Sequence, residues 1–171
     1  AQGTTEGLAL WLNVIAMLIA FMGLVALVDG CLQAVSGNSW ITVELSLARI
    51  FGWLFAPLAW LMGVQGWHDC QLFGALLGTK ISVNEFVAFS QLHQLQIAAP
   101  GAPRFLDPRS EVLAAYALCG FANFASIGIQ IGGVGALVPA RRAELAALGL
   151  RAMAGGALAS WMTAAVAGIF V

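Results

Sequence analysis

The sequence predicts an all-α integral membrane protein, and three observations carry that expectation. First, the runs Gly7 to Val28, Val112 to Val138 and Ala152 to Val171 contain no charged residue, and each is long enough to cross a bilayer as a helix. Second, only 9% of the 171 residues are charged and 61% are hydrophobic, with a mean hydropathy of +0.91; a soluble domain carries about a quarter charged residues. Third, the middle of the second run is interrupted by Gly120, Asn123, Ser126 and Gly128. Polar groups at membrane depth must find partners, so this stretch predicts a partly unwound binding helix rather than a plain apolar one.

Bulk composition excludes several classes. A net charge of −1 without any Lys/Arg run provides no field for nucleic acid. The cysteines Cys31, Cys70 and Cys119 have no CxxC spacing and are odd in number, which points to reduced thiols rather than a zinc knuckle or a disulfide framework. The first apolar segment has no basic lead-in or cleavage site, so it is not read as a signal peptide, and the start on Ala1 rather than Met suggests a fragment.

Residues 1–39 are expected to form a transmembrane helix, Gly7 to Val28, and a turn from Asp29 to Ser39, with the Asn13 amide available to bond a neighbouring helix. Residues 40–65 are expected to form an interfacial amphipathic helix. Trp40 to Leu61 carries Glu44 and Arg49, is interrupted by Pro57, and holds Trp40, Trp53 and Trp60, whose indoles favour the headgroup level. A tilted second span through Ile50 to Met62 is the competing reading.

Residues 66–97 are too polar to span and too apolar for a loop. Two helical patches, Asp69 to Leu77 and Val83 to Leu92, flank the turn tripeptide Gly78-Thr79-Lys80. Neither reaches the length of a crossing, so the pattern predicts a re-entrant helical hairpin, the kind of short interrupted segment that marks transporter binding sites. Residues 98–171 are expected to hold two transmembrane helices. Ala98 to Arg109, with three prolines and two arginines, is a connector, and Asp107 or Ser110 caps the next helix. Pro139 to Arg142 closes it, and a helix-forming stretch from Ala143 leads into the last span. There Ala154, Gly155, Gly156, Ala159 and Ala164 suit close helix packing. Arg141, Arg142 and Arg151 on one side are balanced by Arg49, Lys80, Arg104 and Arg109 on the other, so charge gives no orientation.

Glu85 is the outstanding single residue, because Asn84 precedes it and Phe86-Val87-Ala88-Phe89 carries it into an apolar setting. A carboxylate there can hold two adjacent hydroxyls, a geometry suited to a sugar diol. Asn123 offers a donor and an acceptor, Ser126 follows three residues on, and Phe121 can lay a ring against a sugar or base. Together Glu85, Asn123, Ser126 and Phe121 form a candidate sugar pocket. The bland alternatives are an ion pair of Glu85 with Lys80 or an arginine, and interhelical glue for Asn123 and Ser126. His68, Asp69 and Cys70 point in different directions on a helix and do not form a metal site. No Ser/His/Asp set or phosphate loop is present, and GIQIGG follows no strand, so the chain is read as neither an enzyme nor a dinucleotide binder.

LLGTKISVNEFVAF (Leu76 to Phe89) and PRSEVLAAYALCGFANFASIGIQIGGVGALVPARR (Pro108 to Arg142) resemble the second half of the concentrative nucleoside transporters, and the resemblance extends over essentially the whole chain. It implies a secondary transporter that couples nucleoside uptake to a sodium or proton gradient, assembled as a homotrimer in the cell inner (plasma) membrane. It also implies two inverted repeats, each with a hairpin and an unwound helix, and an elevator-like displacement of the transport domain. By resemblance Glu85 contacts the ribose hydroxyls, Asn123 and Ser126 are further ribose contacts, and Phe121 is an apolar wall. Ala125 stands where many relatives have serine and Phe89 where many have tyrosine, which leaves nucleoside selectivity open. The ligands for sodium and the groups that read the base are expected in a first half that this sequence does not contain, so no cofactor is expected here. The competing class is a structural or assembly membrane subunit in which Glu85 and Asn123 only lock helices together.

Overall fold

The computed structural model describes residues 2–36 and 45–171, and these form helices and connections with no strand among them. The chain divides into two units, 1–47 and 48–171.

In the first unit, α1 (Gln2–Ser36) is one continuous helix of 35 residues. At about 1.5 Å per residue it exceeds the roughly 30 Å of a bilayer core. The turn expected from Asp29 is therefore corrected: the helix runs through it to Ser36. The acid does not end the helix because the intervening Gly30 to Val35 keeps the backbone bonded internally, while the Asp29 carboxylate accepts from Leu47 N at 2.7 Å. Trp11, Ile19 and Leu27 are exposed on this helix. The Asn13 amide and the stretch from Trp40 to Glu44, which opens the predicted interfacial segment, lie outside the described residues.

From Ala48 onward, α2 (Leu47–Leu61) belongs to the second unit; its small residues Gly52, Ala56 and Ala59 are buried while Trp53 and Trp60 are exposed. Small residues on one face allow a close helix crossing: a Cβ on Gly74 of the next helix would lie 2.6 Å from the Gly52 carbonyl oxygen. That next helix, α3 (Trp67–Ser82), is the centre of the unit. Cys70, Phe73, Leu76 and Leu77 are buried at helical spacing and pack with Ala88 and Leu92 of α4 (Glu85–Gln96), with Leu113, Ala117 and Leu118 of α5 (Pro108–Leu118), and with Ala164 of the last helix.

The hairpin is present as α3 and α4, but its turn is not at Gly78-Thr79-Lys80. That tripeptide is helical, Val83 N closes the last turn on Thr79 O at 2.8 Å, and the reversal falls at Val83-Asn84. The reason is twofold. Gly78 is needed for packing, since any Cβ would run into the Phe51 ring, and Asn84 supplies the start of α4 by accepting from Val87 N at 2.9 Å.

The connector is anchored by Asp69, in the first turn of α3, whose carboxylate accepts from Leu106 N at 3.0 Å and Asp107 N at 3.1 Å. Asp107 then caps α5 by accepting from Arg109 N at 2.9 Å, with Pro108 at the first helical position. The uncharged run Val112 to Val138 is not one helix: α5 ends at Leu118, and α6 (Phe124–Leu137) begins after a five-residue break at Cys119 to Asn123. A 3-10 turn at Pro139–Arg141 leads into α7 (Arg142–Ala167), and Pro139–Ala167 is long and apolar enough to cross a membrane. Of the small residues expected to pack there, only Ala164 is buried. The buried stripe is Ala157, Ser160 and Ala164, one turn apart each, and Ala154, Gly155, Gly156 and Ala159 lie on exposed faces.

Candidate functional site

Breaking a helix exposes two kinds of backbone group, the N–H groups that start α6 and the carbonyls that end α5. The α6 side is answered by Asn123. Its extended backbone (φ −144°, ψ 169°) makes it the N-cap, its Oδ1 accepts from Ser126 N at 2.7 Å, and Ser126 Oγ in return accepts from Asn123 N at 3.2 Å. This reciprocal box fixes the amide's orientation. With its oxygen committed to the cap, Asn123 aims Nδ2 outward, and Nδ2 donates to Glu85 Oε2 at 3.0 Å across 38 residues of sequence.

Glu85 arrives at that point for an equally local reason. Asn84 caps α4, so Glu85 is its first residue and sits in its first turn. Two helix N-termini, those of α4 and α6, thus converge on one carboxylate, and the positive end of each helix dipole favours its charge. No ion pair reaches Glu85 among the described residues, so Lys80 is not its salt-bridge partner. The acid is half-buried and Oε1 carries no hydrogen bond among the described residues, while Asn123 is 1% exposed. A carboxylate with a free oxygen, beside an amide with a second N–H to give, can accept from one hydroxyl and donate to its neighbour.

The four predicted residues are therefore brought together unequally. Glu85 and Asn123 meet directly. Ser126 is buried, and its hydroxyl donates to Asn123 O at 2.6 Å as well as accepting in the cap, which leaves one lone pair. Phe121 lies in the break, 55% exposed, and with Ser126 lines a cleft of about 550 Å³ between α6 and α7. Glu85 and Asn123 are not part of that cleft's lining; the cap between Asn123 and Ser126 links the pair to it. Gln130, one turn below Ser126, is exposed in the same cleft.

Sequence reasoning missed Lys80, assigned above to a turn. It is fully buried and donates from Nζ to Ala117 O at 2.8 Å, at the other side of the break. A lysine between the apolar pairs Leu76-Leu77 and Ile81, Val83 was the available signal. The adjacent Gly120 also has a structural reason: at φ +131° it is in a region that side chains avoid, and a Cβ there would collide with Ser160 Oγ.

A helical hairpin whose tip meets a helix break, with a carboxylate and an amide facing each other, is the kind of arrangement used by the class of membrane transporters built from discontinuous helices. Within that class, the Na+ dependent nucleoside transporter C-terminus family matches residues 1–168, and this chain belongs to it. It is 44% identical over 172 residues to an uncharacterized transporter of Haemophilus influenzae, covering 100% of this chain and 40% of the relative. It is 40% identical over 171 residues to the nucleoside permease NupC of Helicobacter pylori, again covering 100% of this chain and 40% of the relative. It is 37% identical over 176 residues to human solute carrier family 28 member 3, covering 98% and 25%. The solved structure of CNTnw in an inward-facing substrate-bound state superposes with a TM-score of 0.86 at 38% identity, over 99% of this chain and 40% of that one. The chain thus spans about 40% of the length of the bacterial relatives it matches. The family is one of multi-pass membrane transporters rather than enzymes.

Proposed function

We propose that this chain is the C-terminal half of a secondary active transporter that takes up nucleosides by cation-coupled symport, using elevator-type alternating access. The observation that carries this is the Asn123 Nδ2 to Glu85 Oε2 hydrogen bond at 3.0 Å, which joins the hairpin tip to the helix break and leaves a free carboxylate oxygen and a free N–H side by side. Those two groups match the vicinal hydroxyls of a ribose. Phe121 serves as the apolar wall, and Ser126 acts chiefly by holding Asn123 in register, with one lone pair left for the sugar. The hairpin is re-entrant, the protein a homotrimer in the cell inner (plasma) membrane, and the coupling Na+ or H+ uses ligands in the first repeat. The names of the bacterial and mammalian relatives support the substrate class.

The test is Glu85→Gln in the full-length protein. The expected result is a loss of labelled-uridine affinity of about thirtyfold, the scale of a hydrogen bond to a charged group, with unchanged trimer elution and melting temperature. Unchanged affinity would sink the assignment and leave Glu85 and Asn123 as interhelical glue in an assembly subunit. This chain reconstituted alone in proteoliposomes is expected to accumulate no uridine under a cation gradient, because it holds about half a site.

A further inference from the structure

The carbonyl side of the break is where the molecule departs from a simple hairpin-and-cap design. Cys119 N reaches Ala115 O and Tyr116 O at 3.2 Å each, but Ala117 O takes its hydrogen bond from the Lys80 ammonium at 2.8 Å. Lys80 is 0% exposed. The ideal Cβ position on Gly120 lies 3.7 Å from its Nζ, and Ser160 Oγ closes the same corner. An α-helix C-terminus, an unwound backbone and a hydroxyl gathered around the buried Lys80 ammonium make a setting for a cation, since the helix end carries partial negative charge. In broken-helix transporters such half-helix ends coordinate exchangeable ions. Here a side chain of the hairpin supplies the positive charge, and a buried ammonium without that helix end would be strongly unfavourable.

We infer that Lys80 is a tethered cation for the C-terminus of α5: a positioning residue that fastens α3 to the helix break, so that Glu85 and Asn123 face each other without an exchangeable ion at this break. The connection is direct. Lys80 lies in the last turn of α3 and Glu85 begins α4 just beyond the reversal, while Ala117 lies in the last turn of α5 and Asn123 caps α6. The ammonium-to-carbonyl bond, α3 to α5, and the amide-to-carboxylate bond, α6 cap to α4, are therefore two rungs between the hairpin and the two halves of the broken helix. Substrate binding enters this inference only through the proposed function; the fastening itself does not depend on it.

The test uses the full-length protein and two variants, Lys80→Ala and Lys80→Met, the second filling most of the lysine's volume without charge. Backbone amide exchange across Cys119 to Ser126 reads the break, and uridine affinity reads the site. Both variants are expected to exchange about tenfold faster at the break and to bind uridine about tenfold more weakly, the scale of a lost charge-assisted hydrogen bond. Ethylammonium is expected to restore slow exchange in Lys80→Ala, and n-propanol, neutral and of similar size, is not. Native-like exchange in Lys80→Met, or equal rescue by n-propanol, would overturn the inference, since filling the space would then be all the lysine does. Faster exchange rescued only by ethylammonium, in a protein that binds no uridine, would uphold the Lys80 role and remove the proposed function.

Discussion

Two acids begin the two helices of the hairpin, and they have opposite fates. Asp69, in the first turn of α3, is 1% exposed and fully engaged: it accepts from Leu106 N, Asp107 N and, at 3.1 Å, His68 Nδ1. Glu85, at the start of α4, is half-buried and accepts from one side chain, leaving Oε1 open. Both sit at a helix N-terminus, where the dipole favours a negative charge. The difference is what surrounds the rest of the carboxylate. Around Asp69 the connector closes and its backbone saturates the oxygens, so the acid is a fastener. Around Glu85 the Asn123 amide is the one hydrogen-bond donor among the described residues, so part of the carboxylate's accepting capacity is unused. Intramembrane charge alone does not separate these roles; unused hydrogen-bonding capacity does.

The comparison breaks most visibly at Asp69. Asp69→Ala leaves the Leu106 and Asp107 N–H groups without their carboxylate acceptor, and a loss of about 3 kcal/mol of stability is expected, read as a lower melting temperature in detergent. Uridine affinity of the folded fraction is expected to stay unchanged; a large loss of affinity without loss of stability would show that Asp69 serves the site. Glu85→Gln is expected to do the reverse, at about 2 kcal/mol in binding, with stability intact. The smallest effect is expected at Ser126. Ser126→Ala removes the returning half of the capping box but keeps the Asn123 Oδ1 bond to the backbone, so about 1 kcal/mol of local stability is lost with only a few-fold weaker uridine binding. An effect on binding as large as that of Glu85→Gln would instead make the Ser126 hydroxyl a direct ribose contact.

Legibility in the sequence followed the range of the interaction. The break at Cys119 to Asn123 was visible because glycine and an Asx residue in an apolar run are local signals, and the cap at Asp107 before Pro108 is local too. The hairpin was legible as two short segments, yet its turn was displaced from Gly78-Thr79-Lys80 to Val83-Asn84. Gly78 looks like a turn residue until Phe51 of another helix is placed against it. The same holds for the last helix, where Gly155 and Gly156 suggested the packing face but Ala157, Ser160 and Ala164 form it.

By itself the sequence determined that this protein is helical and membrane-bound, that its second uncharged run is interrupted around Gly120 and Asn123, and which acid and amide are out of place in oil. Those properties depend on residues close together in the chain, on length, polarity and capping. Tertiary structure alone decided that Glu85 and Asn123 share a hydrogen bond, that Ser126 is held in a cap, and that Lys80 ends on Ala117 O. Each of those outcomes joins elements or fixes an orientation in three dimensions, and the partner of a buried polar group is set by which helix end the packing places beside it.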